Sequence, residues 1–227
     1  MPLSKHAHTK TPTYAIFLYS IILFTKIGII MYNSHGKLEV ICGSMFSGKS
    51  EELIRRLRRA EFAQLKTQVF KHCLDDRTTT EHIHAHSGDK LAAIAIEKPS
   101  TLCEFYLPNV DVIGIDEVQF FSPDILPIIL EIIEAGKRVI VAGLDLDFRG
   151  IPFGCMPALL AMADSVTKLQ AVCMKCGQDA HFTQRLVNNL PARFDDPLIM
   201  IGAQECYQAR CRNCYSIDKK IKELYEL

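Results

Sequence analysis

The turn GSMFSGKS at residues 43–50 has the residue types and the spacing of a phosphate-binding loop. Its glycines allow backbone N–H groups to point at phosphate oxygens, and the N-terminus of a following helix adds positive potential. Lys49 can reach the β- and γ-phosphates of a nucleoside triphosphate, and the Ser50 hydroxyl can ligate Mg²⁺. The alternative is an ordinary glycine-rich turn before a helix. The predicted nucleotide contacts are Gly43, Ser44, Met45, Phe46, Ser47, Gly48, Lys49 and Ser50.

Two acidic residues, Asp116 and Glu117, follow the apolar segment Val110–Ile115. In a phosphate-binding fold, a carboxylate in this place holds Mg²⁺ directly or through water, which is the role predicted for Asp116. A carboxylate beside the γ-phosphate can accept the proton of an attacking hydroxyl, which is the role predicted for Glu117. Neighbouring residues of a strand point to opposite faces, so both acids can face one cleft only if the backbone turns there. The alternative is that the pair caps the next helix.

Four of the nine cysteines form two Cys-x-x-Cys pairs, Cys173 with Cys176 and Cys211 with Cys214. Zn²⁺ binds four thiolates tetrahedrally, and a closed Cys₄ site of this kind is structural. The 34 residues between the pairs predict that the metal clamps the base of a loop. An odd cysteine count with paired spacing indicates a metal site in a reducing cytoplasm, since a disulfide framework needs even numbers. The remaining five cysteines are predicted to be core or bystander thiols.

From residue 37 the sequence alternates between apolar strands and helices. Strands are predicted at Leu38–Cys42, Thr67–Lys71, Leu91–Ile96, Val110–Ile115, Arg138–Leu144 and Ser165–Val172. Helices are predicted at Ser50–Leu65, Thr101–Tyr106 with Ser100 as its cap, Ser122–Ala135 and Phe153–Ala163. The polar segment His72–Lys90, with His82, His84 and His86, is predicted to be a solvated loop. Buried strands separated by helices predict an α/β fold like that of P-loop nucleoside triphosphatases, a mostly parallel sheet covered by helices.

These patterns divide the chain into four regions. Residues 37–172 are predicted to form the nucleotide-binding domain, residues 173–218 a small Cys₄ zinc-binding subdomain, and residues 219–227 a tail. Residues 1–36 are an extension expected to lie outside the fold. Their apolar run, 14–32, is a membrane anchor or signal, an ordered addition, or upstream sequence if translation starts at Met31. We predict that this run is upstream sequence and that it does not belong to the folded domain.

Composition narrows the class of protein. Apolar residues make up 48% and charged residues 23% of the chain, which excludes a disordered protein. Three of the 26 basic and none of the 26 acidic residues lie in residues 1–36, so the remainder carries a net charge of −3. The chain therefore lacks the basic excess that would indicate nucleic acid or an anionic membrane as a partner.

As a set, these motifs resemble those of the zinc-containing type II thymidine kinases. The shared features run in the same order along residues 37–218: the phosphate loop with Met45 and Phe46 inside it, IDEVQFF at 115–121, Gly143-Leu-Asp145 with Phe148, Pro152-Phe-Gly154, and the cysteine quartet. The resemblance implies transfer of the γ-phosphoryl group of ATP to the 5′-hydroxyl of thymidine, with Mg²⁺ accompanying ATP. It also implies a cytoplasmic homotetramer that dTTP inhibits.

The resemblance further implies roles for individual residues. Glu117 is the implied general base, Ser50 and Asp116 place Mg²⁺, and Asp116 and Gln119 join the ATP contacts. A lasso-like loop at about 184–201, tied by the zinc, is implied to cover the nucleoside. The implied nucleoside contacts are Met45, Phe120, Leu144, Phe148, Phe153, Gln170, Leu198, Met200, Gly202 and Tyr207.

Other features leave alternatives open. Arg149 and Arg185 lie near these elements in the sequence and are expected to help neutralise phosphate. A zinc-bearing P-loop ATPase that acts on nucleic acid is the main rival function, and it predicts a basic stripe and an arginine finger. A membrane-tethered nucleotide-binding module without catalysis is the third, and it depends on the N-terminal extension.

Overall fold

The computed structural model describes residues 36–74, 82–84, 90–198 and 205–218. Among the predicted features, His86, Met200, Gly202, the apolar run 14–32 and the tail at 219–227 lie outside the described residues. Within the described ranges, no helix combines the length and the apolar character needed to cross a bilayer.

Six parallel strands form the central sheet. They are β1 (Lys37–Cys42), β2 (Thr67–His72), β5 (Ile94–Ile96), β6 (Val112–Asp116), β7 (Arg138–Gly143) and β8 (Ser165–Lys168), in the order β5-β2-β6-β7-β1-β8. Parallel strands present their carboxyl ends at one edge of a sheet. The phosphate loop after β1 and Asp116 at the end of β6 are therefore at the same edge, separated by the width of β7.

Helices cover both faces of this sheet, as predicted for an α/β fold. Helix α1 (Lys49–Phe62) packs on one face, where Leu53, Ile54 and Leu57 join a buried cluster with residues of β1, β2, β6 and β7. Helices α2 (Pro99–Phe105), α3 (Ile125–Glu134) and α4 (Met156–Met162) cover the other face through a second buried cluster. The four central strands, β2, β6, β7 and β1, are consequently buried on both sides, which explains why their sequences lack polar alternation.

Two segments predicted as single strands each divide between two sheets. The predicted strand Leu91–Ile96 consists of β4 (Lys90–Ala92), which pairs antiparallel with β3 (His82–His84), and β5 in the central sheet. The predicted strand Ser165–Val172 consists of β8 and β9 (Ala171–Val172), which lie in different sheets. The prediction of a loop throughout His72–Lys90 was also wrong at β3. An apolar run reports burial and not the pairing partner, so a change of sheet leaves no signal in it.

Helix boundaries differ from prediction at the N-termini. The helix assigned to Thr101–Tyr106 begins at Pro99, with Lys98 and not Ser100 in the capping position. Proline is favoured at the first helical position because its missing N–H has no partner there in any case. The helices predicted from Ser122 and Phe153 begin three residues later, at Ile125 and Met156.

The cysteine-rich region forms small antiparallel sheets beside the main sheet. Strand β9 pairs with β10 (Asp179–Ala180), and β11 (Phe182–Val187) pairs with both β12 (Leu190–Pro191) and β13 (Glu205–Arg210). Asn188 and Asn189 connect β11 to β12 with positive φ angles of 51° and 63°, the conformation that a tight hairpin turn requires. The segment between β11 and β13 is thereby held at its base by two long, paired strands.

Candidate active site and metal centre

The phosphate loop adopts the inward-turned conformation that its glycines permit. Gly43 has a φ of 143°, and a Cβ on it would lie 2.4 Å from the carbonyl oxygen of Leu169. Gly48 has a φ of 85° and precedes the first residue of α1. The Lys49 ammonium curls back over the loop and donates a hydrogen bond to the Ser44 carbonyl at 2.8 Å. Sequence reasoning located this loop correctly, between β1 and α1.

The two acids at the end of β6 make different contacts, and Asp116 bonds to a residue of the phosphate loop. The Ser50 hydroxyl donates to Asp116 Oδ2 at 3.0 Å, which joins the two predicted magnesium ligands directly. The Glu117 backbone N–H donates to Asp116 Oδ1 at 3.0 Å. Glu117 has a φ of 51° and a ψ of 40°, so the chain turns sharply at this residue. This left-handed residue is the turn that both acids need in order to face one cleft, and its side chain makes no capping hydrogen bond to the helical turn that follows.

The electrostatic environment of Asp116 is unusual for a carboxyl group. Its side chain is fully buried, and burial together with the charge of Glu117 raises its pKa to about 7. The Ser50 hydrogen bond and the Lys49 charge oppose this shift but are weaker. A buried carboxyl beside a second one disfavours two negative charges, and a bound cation would remove that penalty. The oxygen-rich donor set of Ser50 and Asp116 fits a hard cation such as Mg²⁺.

Gln119 connects Glu117 to the end of β7. Its side-chain amide donates from Nε2 to Glu117 Oε2 at 2.5 Å, and its Oε1 accepts from the Leu144 backbone N–H at 3.1 Å. The sequence resemblance assigned Gln119 to ATP, but its position between Glu117 and Leu144 has no local signal in the sequence.

Lys71 is a further charged residue that sequence reasoning passed over. It pairs in register with Asp116 on the neighbouring strand, so both side chains lie on the α1 face of the sheet. Its side chain is buried, and its Nζ has no hydrogen-bond partner within the described residues. A lysine within a strand of a sheet that is covered by helices on both faces is the one signal that could have drawn attention to it.

The cysteine-rich region touches the phosphate loop directly, which the sequence did not indicate. The Met45 backbone N–H donates to Thr183 Oγ1 of β11 at 2.9 Å. The Ser44 hydroxyl donates to the carbonyl of Ala180, in β10, at 3.4 Å. Two residues of the loop are thus held by the part of the chain that carries the cysteine quartet.

The four predicted metal ligands come together as expected. The sulfur atoms of Cys173, Cys176, Cys211 and Cys214 all lie within 4.8 Å of one another. Burial raises the pKa of the Cys173 thiol, but N–H donors from the backbone of residues 175, 176 and 211 outweigh it and lower the pKa to about 6. Four clustered sulfurs, one of them favoured as thiolate, fit a tetrahedral Zn²⁺ and provide no open position for catalysis.

The predicted nucleoside contacts fall into two groups. Phe120 and Phe153 meet edge to face with ring centroids 5.5 Å apart. Beside Phe120 an open cavity of about 420 Å³ is lined by His72, Cys73, Leu74, Glu97, Lys98, Pro99, Phe120 and Ser122.

The second group surrounds Arg185. The Arg185 guanidinium lies 3.6 Å from the centroid of the Phe148 ring and donates to the Leu198 carbonyl at 3.4 Å. Tyr207 pairs with Arg185 across β11 and β13. Gln170 is exposed between β8 and β9, and Met200 and Gly202 lie outside the described residues.

The two arginines expected to neutralise phosphate are engaged elsewhere. Arg185 is fully buried and donates to the Pro197 carbonyl at 2.6 Å. Arg149 forms an ion pair with Asp147 at 2.6 Å. In this structure Arg185 supports the base of the loop, which proximity in the sequence did not predict.

Comparison with known proteins gives two findings. A family model described as thymidine kinase matches residues 36–215 of the chain. Among solved structures, the crystal structure of domain III of the Thermotoga maritima replication initiation protein DnaA is similar at 15% sequence identity, over 74% of this chain and 69% of that chain, with a TM-score of 0.36. That structural likeness is too weak to carry a conclusion about this chain.

Proposed function

The chain belongs to the thymidine kinase family, and we propose that it transfers the γ-phosphoryl group of ATP to the 5′-hydroxyl of thymidine, giving dTMP and ADP. The observation that carries the proposal is the contact between Ser50 of the phosphate loop and Asp116, with Glu117 bonded to Asp116 at the end of β6. Ser50 and Asp116 are joined at 3.0 Å, and Glu117 turns away from the strand beside them. This arrangement supplies a metal position and a proton acceptor at one edge of the sheet.

The proposed mechanism depends on positioning and on charge neutralisation. The backbone of residues 43–50 cradles the phosphates, and Lys49 leaves the Ser44 carbonyl to contact the β- and γ-phosphates. Ser50 and Asp116 would hold Mg²⁺, which when bound would neutralise charge on the phosphate oxygens. Glu117 accepts the proton of the 5′-hydroxyl as its oxygen attacks the γ-phosphorus. A loose phosphoryl-transfer transition state needs these contributions more than it needs covalent catalysis.

The nucleoside is proposed to bind between the aromatic pair at the sheet edge and the loop that joins β11 to β13. Phe120, Phe153 and Leu144 lie on the sheet side, whereas Leu198 and Tyr207 belong to the loop and its base. The remaining residues proposed for this pocket are Met45, Phe148, Gln170, Met200 and Gly202. The four cysteines would hold Zn²⁺ at the base of this loop. A nucleoside covered by the loop would be shielded from water, so that a sugar hydroxyl would accept the phosphoryl group in preference to water.

The test is an assay with γ-labelled ATP, Mg²⁺ and a panel of nucleosides. Label in dTMP supports the proposal, and the panel measures preference for thymine over other bases. Label only in free phosphate, increased by nucleic acid, indicates the rival ATPase. Binding of ATP without turnover indicates a non-catalytic nucleotide-binding module. A matched inactive control is Lys49→Met, which removes the ammonium but keeps an unbranched side chain.

We extend the proposal to the assembly, regulation and organisation of the chain. A homotetramer is expected, and light scattering coupled to size-exclusion chromatography measures it. Feedback inhibition by dTTP is expected in the same kinase assay.

The proposed organisation is a nucleotide-binding domain at 37–172, a zinc-binding subdomain at 173–218, a tail at 219–227 and an extension at 1–36 outside the fold, in a cytoplasmic protein. Intact-mass measurement of the native protein shows whether the extension is present.

A further inference from the structure

We propose that Gln119 is a positioning residue that holds the Glu117 carboxylate in place for proton transfer from the attacking hydroxyl. The inference deepens the proposed function and rests on it. It differs from a role in binding ATP, because Gln119 would act through Glu117 and not through the nucleotide.

The contacts of the Gln119 side chain define its orientation. A carboxylate can only accept hydrogen bonds and a backbone N–H can only donate one. The 2.5 Å contact with Glu117 Oε2 therefore assigns the nitrogen of the amide to Glu117. The 3.1 Å contact with the Leu144 N–H assigns the oxygen to the end of β7. Only one orientation of the amide satisfies both neighbours, so each contact fixes the other.

The surroundings of Gln119 keep the amide from moving. The residue is 2% exposed, and a Cβ at Gly143 would lie 2.6 Å from its Oε1. Gly154 has a φ of 49°, and a Cβ there would lie 2.3 Å from the Gln119 carbonyl oxygen. Two glycines thus make room for Gln119 on separate sides. The amide is packed against the rigid sheet, and its oxygen is bonded to the backbone beyond β7.

Glu117 needs such support because its own backbone position gives little. It is the left-handed residue of a tight turn, and its carboxylate ends a side chain with three rotatable bonds. An acceptor held in the reactive geometry avoids the entropic cost of ordering it at each turnover. The short, charge-assisted hydrogen bond from Gln119 selects one carboxylate orientation, with Oε2 facing the amide and Oε1 left for other contacts.

The test is a double-mutant cycle on the full chain. Gln119→Met keeps the approximate length and volume of the side chain but removes both hydrogen bonds. We expect kcat with ATP and thymidine to fall about 10- to 100-fold, while KM for ATP changes less than about twofold. In a Glu117→Gln background, the same substitution should cause no further fall in kcat, because its partner has already been removed.

Gln68 supplies a matched control. It is also a buried glutamine bonded at both ends, to the Phe105 carbonyl at 2.7 Å and the Leu107 N–H at 3.1 Å, but it lies at the opposite end of β2 from the active-site edge. Gln68→Met should lower the unfolding temperature to a similar degree while kcat stays at the wild-type value.

The outcomes separate the possible roles. An unchanged kcat with a raised KM for ATP shows contact with the nucleotide and overturns the inference. Equal falls in kcat in both backgrounds show a purely structural role and also overturn it. If Gln119→Met does not fold, the double-mutant cycle is repeated with Gln119→Glu. This variant keeps the acceptor for Leu144 and replaces only the donor that faces Glu117. A wild-type chain that labels no nucleoside overturns the proposed function and this inference together.

Discussion

A single left-handed residue lets two adjacent carboxyl groups take different partners. Asp116 completes β6 and accepts from Ser50, whereas Glu117 turns out of the strand and accepts from Gln119. A β-branched residue in the same conformation would be strained, and a residue with ordinary φ would send the second carboxylate to the opposite face. The proposed division of work between a metal-holding acid and a proton-accepting acid therefore starts from one backbone angle.

Glu117→Gln tests the proton acceptor. The substitution keeps the size of the side chain but removes the charge, so we expect kcat to fall about 10²- to 10⁴-fold while ATP binding is nearly retained. Steady-state kinetics with thymidine and a binding measurement with ATP check both halves of this prediction. Unchanged turnover would show that another group, or solvent, takes the proton.

At the scale of the secondary-structure elements, Glu39 and Arg56 form a polar network that connects β1, α1, β7 and β8. From the middle of β1, Glu39 accepts hydrogen bonds from Arg56 of α1 at 2.8 Å and from Arg138 of β7 at 2.7 Å. Arg56 also donates to Thr167 of β8 at 2.8 Å. Burial raises the pKa of Glu39, but hydrogen bonds and charges from Arg138 and Lys37 outweigh burial and lower the pKa to about 2. The ionised carboxylate consequently stabilises the packing of these elements.

This depressed pKa predicts a loss of stability in acid. The folded value is about 2 against an ordinary value of 4.5, so the stabilisation is complete above pH 4.5 and disappears as the pH falls towards 2. Its size is on the order of 3 kcal/mol. Urea unfolding of wild type should show a steeper loss between pH 5 and pH 2.5 (roughly the titration range of the group) than that of Glu39→Gln. The exposed Glu104→Gln serves as control, and parallel pH curves for wild type and Glu39→Gln would contradict the prediction.

Strand β11 contributes to the phosphate loop through the Thr183 hydroxyl, which accepts from the Met45 N–H. Thr183→Val removes the hydroxyl with little change of shape and leaves that N–H without a partner. An unsatisfied buried N–H costs about 1 to 3 kcal/mol, and this N–H is partly buried, so the loop should leave its binding conformation and ATP should bind about 3- to 30-fold more weakly. Displacement of a fluorescent ATP analogue measures the change. Thr183→Ser, which keeps the hydroxyl, should bind ATP like wild type, and equal losses in both variants would show that the methyl group matters and the hydrogen bond does not.

At the scale of the whole molecule, the cysteine cluster and the phosphate loop belong to one continuous structure. Cys173 and Cys176 precede β10 and β11, whose Ala180 and Thr183 bond to the loop, and Cys211 follows β13, which pairs along β11. A metal on the four sulfurs would therefore hold the strands that contact residues 44 and 45 of the phosphate loop. Metal binding is coupled to folding of such small sites, since no preformed site exists in the unfolded chain.

Loss of the metal should weaken both stability and nucleotide binding. Cys214→Ser is expected to lower bound zinc, the unfolding temperature and ATP affinity together, because the support of residues 44 and 45 loosens with the cluster. Cys206→Ser, at an exposed cysteine outside the quartet, is the matched control and should retain all three. Zinc content by mass spectrometry, thermal unfolding and ATP binding are the measurements. Full activity in a zinc-free chain would show that the metal is not required for the proposed function.

The sequence alone determined the features whose chemistry is local. The phosphate loop, the acids at the end of β6 and the two Cys-x-x-Cys pairs are short motifs whose spacing encodes their geometry, and the structure places each beside its expected element. The parallel sheet was predictable for the same reason, since strands buried on both faces show as unbroken apolar runs. The boundaries of β4, β5, β8 and β9 were not predictable, because pairing depends on distant residues.

Only the tertiary structure decided which distant groups meet. Gln119 between Glu117 and Leu144, Thr183 on Met45, and Lys71 beside Asp116 each join segments that are separated in the chain or lie on neighbouring strands. Arg185 is a case in which sequence position misled. Its position in the chain suggested a contact with phosphate, but the buried side chain contacts the Pro197 carbonyl and the Phe148 ring. A motif specifies its own backbone, whereas the partners of a side chain follow from the register of strands and the packing of layers, which a short sequence window does not contain.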